Sequence, residues 1–126
     1  MDAPAAAVSA DGKRTALAWM AQPDNDRDVF WRANGWKQER LLDPAREGAQ
    51  GHTALAFDAA GALHAVWVSL DRIRYRTLDA AGKASAPRTV SRDGERAGQP
   101  ALAARGRRVV LVYELKRGAV IRRLGS

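Results

Sequence analysis

The stretch HTALAFDAAGALHAVW, residues 52–67, combines a run of small residues, a turn with a glycine, and an apolar segment that ends in an aromatic ring. The stretches PAAAVSADGKRTALAW (4–19) and QPALAARGRRVVLVY (99–113) share this design, and the terminal rings are 48 and then 46 positions apart. A second set of similar segments follows the rings: DVFWRANGW (28–36), DRIRYRTLD (71–79) and GAVIRRLG (118–125). Self-similarity at a period of about 40 to 50 residues is typical of repeat arrays.

The repeated segments have the pattern of β-strands. In RIRYR (72–76) arginines alternate with Ile73 and Tyr75, which predicts one buried face and one solvent-facing face. The arginines are then expected on the exposed face, where they discourage edge pairing. Asn34-Gly35 predicts a type I′ hairpin turn, because both central residues of that turn need positive φ. No segment carries a capped stripe at the helical period, so the predicted fold class is all-β.

Four strands per repeat are predicted, except that the third repeat lacks its outer strand. The eleven strands are expected near 4–9, 14–20, 28–33, 36–42, 53–58, 62–69, 72–78, 86–91, 100–104, 107–114 and 118–124. Four-stranded antiparallel units of this period are typical of propeller blades. The prediction is one repeat domain, 1–126, with blade 1 at about 1–45, blade 2 at about 46–91 and blade 3 at about 92–126. The alanine-rich first strands suit the crowded axis of a propeller, where large side chains would collide. The alternative to propeller blades is a set of tandem hairpins of a β-sandwich.

The segment YRTLDAAGKASAPRTV (75–90) resembles an Asp-box, or bacterial neuraminidase repeat, of the sialidase-type β-propellers. The family pattern is Ser or Thr, any residue, Asp, any residue, Gly, two more residues and an aromatic ring. Thr77, Asp79 and Gly82 match it with one extra residue before the glycine, and Ser85 stands near the place of the ring. The resemblance implies a structural corner between the third and fourth strands of a blade, remote from any active site. In such a corner the aspartate accepts backbone N–H groups and the glycine supplies positive φ.

No catalytic residue, metal site or cofactor is predicted. Catalysis in the sialidases needs an arginine cluster, a Tyr/Glu nucleophile pair and an acidic proton donor. The resemblance implies none of these in this chain, and no spacing in the sequence identifies them. A remnant of a sialidase-like glycoside hydrolase is the alternative. His52 and His64 have no second ligand at metal spacing. The alternating acids Asp24, Asp26 and Asp28 have the spacing of a calcium loop but lack its glycine and distal glutamate, which favours a solvated loop.

The net charge of +7 arises mainly in residues 92–126, which carry nine basic and three acidic side chains. Such asymmetry is typical of a polyanion-binding face and also of an ordinary surface in an arginine-rich proteome. Exposed aromatics are not interleaved with the basic residues, which disfavours nucleic acid as a partner. No apolar run reaches the length of a membrane span. The N-terminus lacks the pattern of a signal peptide, so the chain is either cytoplasmic or exported with its leader removed.

Three blades do not readily close a propeller, because closed rings usually have four to eight. The chain is then either a three-blade piece of a longer propeller or one of several copies that assemble into a ring. Two copies give six blades, which favours a homodimeric ring with twofold symmetry. The predicted function is a non-catalytic binding or interaction module for a glycan or another anionic ligand. Blade-to-blade connections and loops after second strands are expected at one face. They gather the candidate ligand residues Arg46, Gln50, His52, Arg92, Arg96 and Gln99, and the alternative surface is the cluster of Arg107, Arg108, Arg122 and Arg123.

Overall fold

The computed structural model describes residues 4–21, 28–45 and 50–124. Within these ranges the chain is all-β, as predicted, with eleven strands and no helix. The strands are β1 (Ala5–Val8), β2 (Thr15–Ala21), β3 (Asp28–Ala33), β4 (Arg40–Leu41), β5 (Gln50–Phe57), β6 (Leu63–Ser69), β7 (Arg72–Leu78), β8 (Arg88–Thr89), β9 (Gly98–Arg105), β10 (Arg108–Glu114) and β11 (Ala119–Leu124). The described ranges contain no helix that is long and apolar enough to span a membrane.

The strands form three open antiparallel sheets. Sheet 1 contains β1 to β4, sheet 2 contains β5 to β8, and sheet 3 contains β9 to β11. In each sheet the strands are hydrogen-bonded in chain order, and each is antiparallel to its neighbour. The fourth strands are short, with two residues each. The predicted boundaries at 45/46 and 91/92 fall between sheets and stay predictions.

Sheet 2 lies between sheets 1 and 3 and shares a separate apolar core with each. The first core joins Trp31 of sheet 1 to Trp67 of sheet 2, and the second joins Tyr75 of sheet 2 to Tyr113 of sheet 3. The first strands contact each other across the sheets, β1 with β5 and β5 with β9. The outer strands β4 and β8 make no comparable contact among the described residues. The three sheets therefore converge at their small, alanine-rich first strands and spread apart towards their outer strands.

The three sheets repeat one another in register as well as in strand order. Leu17, Ala65 and Leu111 are each paired with an arginine of the next strand: Arg32, Arg76 and Arg122. The residues that follow them, Ala18, Val66 and Val112, are paired with Trp31, Tyr75 and Ile121. Trp19, Trp67 and Tyr113 are thus equivalent, as their spacing predicts. Trp67 and Tyr113 are fully buried against the preceding sheet, whereas Trp19 lies partly exposed on the outer face of sheet 1.

The predicted type I′ turn at Asn34-Gly35 is wrong. Gly35 alone has positive φ, at 88°, and the N–H of Trp36 donates to the carbonyl of Ala33. Positive φ at only the second central residue is the pattern of a type II turn. Both central residues have positive φ instead in the turn between β6 and β7, at Leu70 and Asp71. This turn has only two residues, neither of them glycine, because Ser69 and Arg72 on either side of it are paired with each other.

The sequence also predicts that the arginines of β7 are exposed and discourage edge pairing, and this prediction is wrong for Arg74 and Arg76. Strand β7 is paired on both sides, with β6 and β8, so it is no edge. The Arg76 Nη1 atom donates to the carbonyl of Leu42 at 2.8 Å, and its guanidinium lies 5.0 Å from the ring centre of Trp31. Arg74 Nε lies 3.4 Å from a carboxylate oxygen of Asp43. A period of two assigns both residues to one face, but only the neighbouring sheet makes that face an interface.

Candidate functional site

One end of the sheets, the connector end, gathers the connections between sheets (42–45 and 91–97) and the turns after β6 and β10. The N–H of Ala97 donates to the carbonyl of Asp71 at 2.9 Å, which joins the second connection to the β6–β7 turn. The β5 and β9 strands begin at this end. The described parts of the connections therefore lie together with the loops after β6 and β10, whereas the loop after β2 lies outside the described residues.

Each connection supplies an acid that binds the aromatic ring at the end of a second strand. In the first connection, Asp43 accepts the indole N–H of Trp67 at 3.2 Å and is itself 1% exposed. In the second, Glu95 accepts the hydroxyl of Tyr113 at 2.6 Å. An arginine of the third strand completes each group: Arg74 beside Asp43, and Arg122, whose Nε donates to the Tyr113 hydroxyl at 2.9 Å. These two groups lock each connection to the sheet that follows it.

The Glu95–Tyr113 contact was not expected from the sequence, and its chemistry is structural. Burial and the hydrogen bond to Glu95 raise the pKa of Tyr113, so its phenol keeps the proton at neutral pH. The hydrogen bonds from Tyr113 and from the N–H of Arg92 lower the pKa of Glu95. The equivalent group of sheet 2 uses a tryptophan, which cannot act as an oxygen nucleophile. In the sequence, both groups are marked by the same pair of features: an acid in the connection, and a Trp or Tyr at the end of the second strand of the sheet that follows.

The candidate ligand residues of the first connection and of the two first strands differ in exposure. Arg46 lies outside the described residues, as do Asp24 and Asp26. Gln50 is 3% exposed, which removes it from the accessible surface. His52 and Gln99 are exposed and equivalent: each follows the start of a first strand, and each has positive φ, 52° and 48°. The pairing of both strands shifts register at these points, so each residue belongs to a β-bulge.

The candidate arginines of the second connection, Arg92 and Arg96, are both exposed. Neither guanidinium forms a hydrogen bond or an ion pair with a described residue. The carboxylates of Asp71 and Asp93 are also exposed on this end. The connector end therefore presents cations, an imidazole, an amide and carboxylates together rather than a field of one sign.

The opposite end, the hairpin end, contains the Asp-box corner. Asp79 Oδ1 accepts the N–H groups of Ala81 and Lys83 at 3.0 and 2.8 Å, and Gly82 has φ of 91°. Ser85 hydrogen-bonds the backbone of Thr77 through both its hydroxyl and its N–H. This corner lies between β7 and β8, remote from the connector end.

The same turn occurs a second time, between β5 and β6. Asp58 Oδ1 accepts the N–H groups of Ala60 and Ala62 at 2.9 and 3.0 Å, and Gly61 has φ of 84°. Both turns have the sequence Asp-Ala-Ala-Gly. The corner geometry is therefore a property of that short sequence and is not restricted to the connection between third and fourth strands.

Asp58 also ends a buried relay that the sequence did not indicate. Its Oδ2 lies 2.8 Å from His64 Nε2, and His64 Nδ1 lies 2.7 Å from the Tyr75 hydroxyl. An ionised carboxylate only accepts, so Nε2 carries a proton, and in the neutral imidazole Nδ1 accepts from the phenol. Burial raises the pKa of Tyr75, and the nearby Arg88 guanidinium opposes this only in part. The relay gives both ring nitrogens of the buried His64 a hydrogen-bond partner.

Acid sensitivity follows from the Asp58 end of this relay. Burial by itself raises the pKa of Asp58, but hydrogen bonds from His64 and from the N–H of Ala62 outweigh it, and the pKa lies below its ordinary value of 3.8. A carboxyl with a lowered pKa in the folded state stabilises the fold above its unfolded pKa, and this stabilisation is lost as the pH falls through the folded value. We expect Asp58→Asn to make the free energy of unfolding fall less steeply below about pH 4. Urea unfolding at several pH values measures this.

The control for the acid experiment is Asp93→Asn, which removes an exposed carboxyl on the same background. Asp11 and Glu95, whose pKa values are also lowered, remain in both variants and contribute equally. Equal pH dependence of the wild type and Asp58→Asn would contradict the role of the relay.

A cavity lies at the hairpin end, between sheets 1 and 2. It has a volume of about 240 Å³ and an apolar floor of Trp36, Phe57 and Leu78 below the Asp79 turn. Its cation, Arg14, already donates to the carbonyl of Gly61 at 3.2 Å. Two further polar side chains of the lining, Asn34 and Asp79, also hydrogen-bond the backbone, so much of the polar lining of the cavity is already engaged in holding the turns around it. Within the described ranges, no group of three or more potential metal ligands occurs.

No protein-family model matches this chain, and no curated protein matches it.

Proposed function

We propose that the chain is a non-catalytic binding module whose three sheets are propeller blades and whose ligand surface is the connector end. The observation that carries this proposal is the pair His52 and Gln99. Both are exposed residues other than glycine, held at positive φ in bulges at equivalent positions of adjacent first strands. Such backbone conformations cost on the order of 1 to 3 kcal/mol and are concentrated at binding sites. Bulges redirect side chains, and here they do so twice in the same way.

The chemistry of the surface favours an acidic glycan. The guanidinium groups of Arg92 and Arg96 suit a carboxylate or sulfate through paired, charge-assisted hydrogen bonds. The exposed carboxylates of Asp71 and Asp93 accept hydroxyl groups but repel a polyanion. A ligand with one acidic group and several hydroxyl groups satisfies both sets, whereas a nucleic acid or another polyanion satisfies only the arginines.

An array of sialylated, sulfated and neutral glycans, followed by calorimetric titration of the best-bound glycan, tests this proposal. We expect Arg92→Ala with Arg96→Ala to weaken binding at least about tenfold, because a hydrogen bond to a charged group contributes about 1.5 to 3 kcal/mol. The thermal midpoint should change little, since neither guanidinium forms a hydrogen bond or an ion pair with a described residue.

The matched control is Arg107→Ala with Arg123→Ala, which removes the same charge at the hairpin end and should keep the affinity. A loss of affinity in the control alone would move the site to the arginine cluster. Gln99→Gly supplies a second variant: it relieves positive φ while it deletes the amide, so we expect weaker binding without loss of stability. Binding of no acidic glycan by the wild type would contradict the proposal.

A remnant of a glycoside hydrolase is the second candidate, and the Glu95–Tyr113 contact is the observation in its favour. The buried, protonated phenol of Tyr113 argues against it. Turnover of a fluorogenic sialoside that Glu95→Gln abolishes would establish the hydrolase and overturn the non-catalytic proposal.

A further inference from the structure

Three large apolar side chains of the described strands are exposed at positions where the other sheets bury the equivalent residue wholly or in part. Ile121, 74% exposed on sheet 3, is equivalent to Trp31 and Tyr75, which are 2% and 6% exposed. Leu17, 44% exposed on sheet 1, is equivalent to Ala65 and Leu111, which are fully buried. Val8 is 61% exposed, and its equivalents Phe57 and Ala104 pack against the two cores. These exposures are therefore not scattered but follow the repeat.

The two outer faces differ in kind. The outer face of sheet 1, with Val8, Leu17, Trp19 and Phe30, is the face that sheets 2 and 3 turn towards the sheet before them. The outer face of sheet 3, with Val110, Val112 and Ile121, is the face that sheets 1 and 2 turn towards the sheet after them. Each outer face is thus the complement of the other, and neither is the complement of itself.

We propose that the outer face of sheet 3 binds the outer face of sheet 1 of a second copy of this chain. Two copies joined in this way make two identical contacts about a twofold axis. The six sheets that result lie within the four to eight blades of closed propellers. The proposal rests on the blade arrangement of the proposed function but on no ligand.

The contacts between first hairpin turns within the chain support a second copy as the occupant. In both contacts within the chain the first hairpin turns of neighbouring sheets touch: Arg14 Nη1 donates to the carbonyl of Gly61, and the N–H of Ala59 to the carbonyl of Gly106. The equivalent contact between copies brings the β9–β10 turn of one beside the β1–β2 turn of the other. The first turn carries Arg105, Arg107 and Arg108, which together with Arg123 line a depression of about 560 Å³. The second carries the exposed carboxylate of Asp11 together with Lys13 and Arg14, and Arg14 already donates to the carbonyl of Gly61.

The arginines of the β9–β10 turn have no acid of their own. Arg105, Arg107, Arg108 and Arg123 form no ion pair with a described residue, whereas Arg74 and Arg122 each lie beside a carboxylate. These four cations, without an ion-pair partner among the described residues, lie beside an exposed apolar face. The outer face of sheet 1 supplies the matching apolar side chains, and Asp11 is the acid that its first turn brings closest, with Lys13 and Arg14 in the same turn.

Sedimentation equilibrium of the wild type and three single variants tests the proposal. We expect the wild type to have twice the chain mass of 13.7 kDa. Leu17→Glu and Ile121→Glu should each raise the dissociation constant about a hundredfold or more, because each closed dimer contains the buried charge at both contacts. Leu70→Glu is the matched control: Leu70 is 59% exposed but lies in the β6–β7 turn, away from both outer faces, so this variant should remain dimeric.

The variants distinguish the proposed contact from other assemblies. A contact between two identical faces would be lost in only one of the two variants, Leu17→Glu or Ile121→Glu, and would overturn the proposal. A wild type that stays monomeric across a wide concentration range, or that forms an open series of larger species, would also overturn it. Far-ultraviolet circular dichroism of each variant shows that the fold is retained, and the wild-type mass stands as a test by itself. Failure of the ligand proposal appears separately, as absence of glycan binding by the same wild-type sample.

Discussion

Trp67→Ala is expected to lower the free energy of unfolding by about 3 to 5 kcal/mol, the typical effect of truncating a large buried aromatic residue. Trp67 is fully buried between sheets 1 and 2, in the core that also contains Trp31 and Ala18. The substitution leaves a cavity between two sheets and removes the indole N–H from buried Asp43. Since domains of this size are stabilised by about 5 to 15 kcal/mol, the loss is a large part of the total. Urea unfolding followed by circular dichroism measures it.

Trp19→Ala is the matched control for this experiment, because the repeat makes Trp19 and Trp67 equivalent. Trp19 stacks on Phe30 with ring centres 6.2 Å apart, but the face it occupies is open within one chain. Both substitutions are best compared in the Ile121→Glu background, in which the proposed contact between copies is disrupted. There, Trp19→Ala should have a much smaller effect. Equal effects of the two substitutions would show that the proposed equivalence of the sheets does not govern their packing.

Asp43→Ala is expected to have the second largest effect, a loss of about 2 to 4 kcal/mol. Asp43 is 1% exposed and accepts from the Trp67 indole, from Arg74 and from the N–H of Ala45. Removing the carboxylate leaves these donors without their acceptor in a dry site, and a buried donor left unsatisfied costs about 1 to 3 kcal/mol. The connection between sheets 1 and 2 would also lose its attachment to the sheet that follows. Differential scanning calorimetry measures the change.

The control is Asp93→Ala, which removes the same charge from the other connection at an exposed position. No measurable change is expected there, because surface substitutions away from a specific contact are usually near neutral. If Asp43→Ala were as mild as Asp93→Ala, the acid, ring and arginine groups would not be what holds the connections in place.

Local sequence determined the elements of this protein. Period-two alternation and small turn residues predict strands, and each of the eleven predicted strands overlaps one of the structure. The Asp-Ala-Ala-Gly sequences determine their own turns, because an aspartate and a glycine three positions apart satisfy a corner from within. The recurrence of rings at a constant spacing predicts which positions are equivalent, since a repeated strand pattern places repeated residues on the same face.

Only the tertiary structure decided what each face meets. The same alternation describes Arg32, Arg76 and Arg122, yet Arg76 lies in an interface because sheet 1 covers its face, and Arg122 binds Tyr113 because a connection brings Glu95 to it. The same equivalence describes Tyr75 and Ile121, yet one is buried and the other is exposed. The bulges at His52 and Gln99 and the relay from Asp58 to Tyr75 likewise depend on pairing between strands. The physical reason is that strand pattern is a local property, whereas burial and hydrogen bonding across sheets depend on residues that lie about one repeat away in the chain.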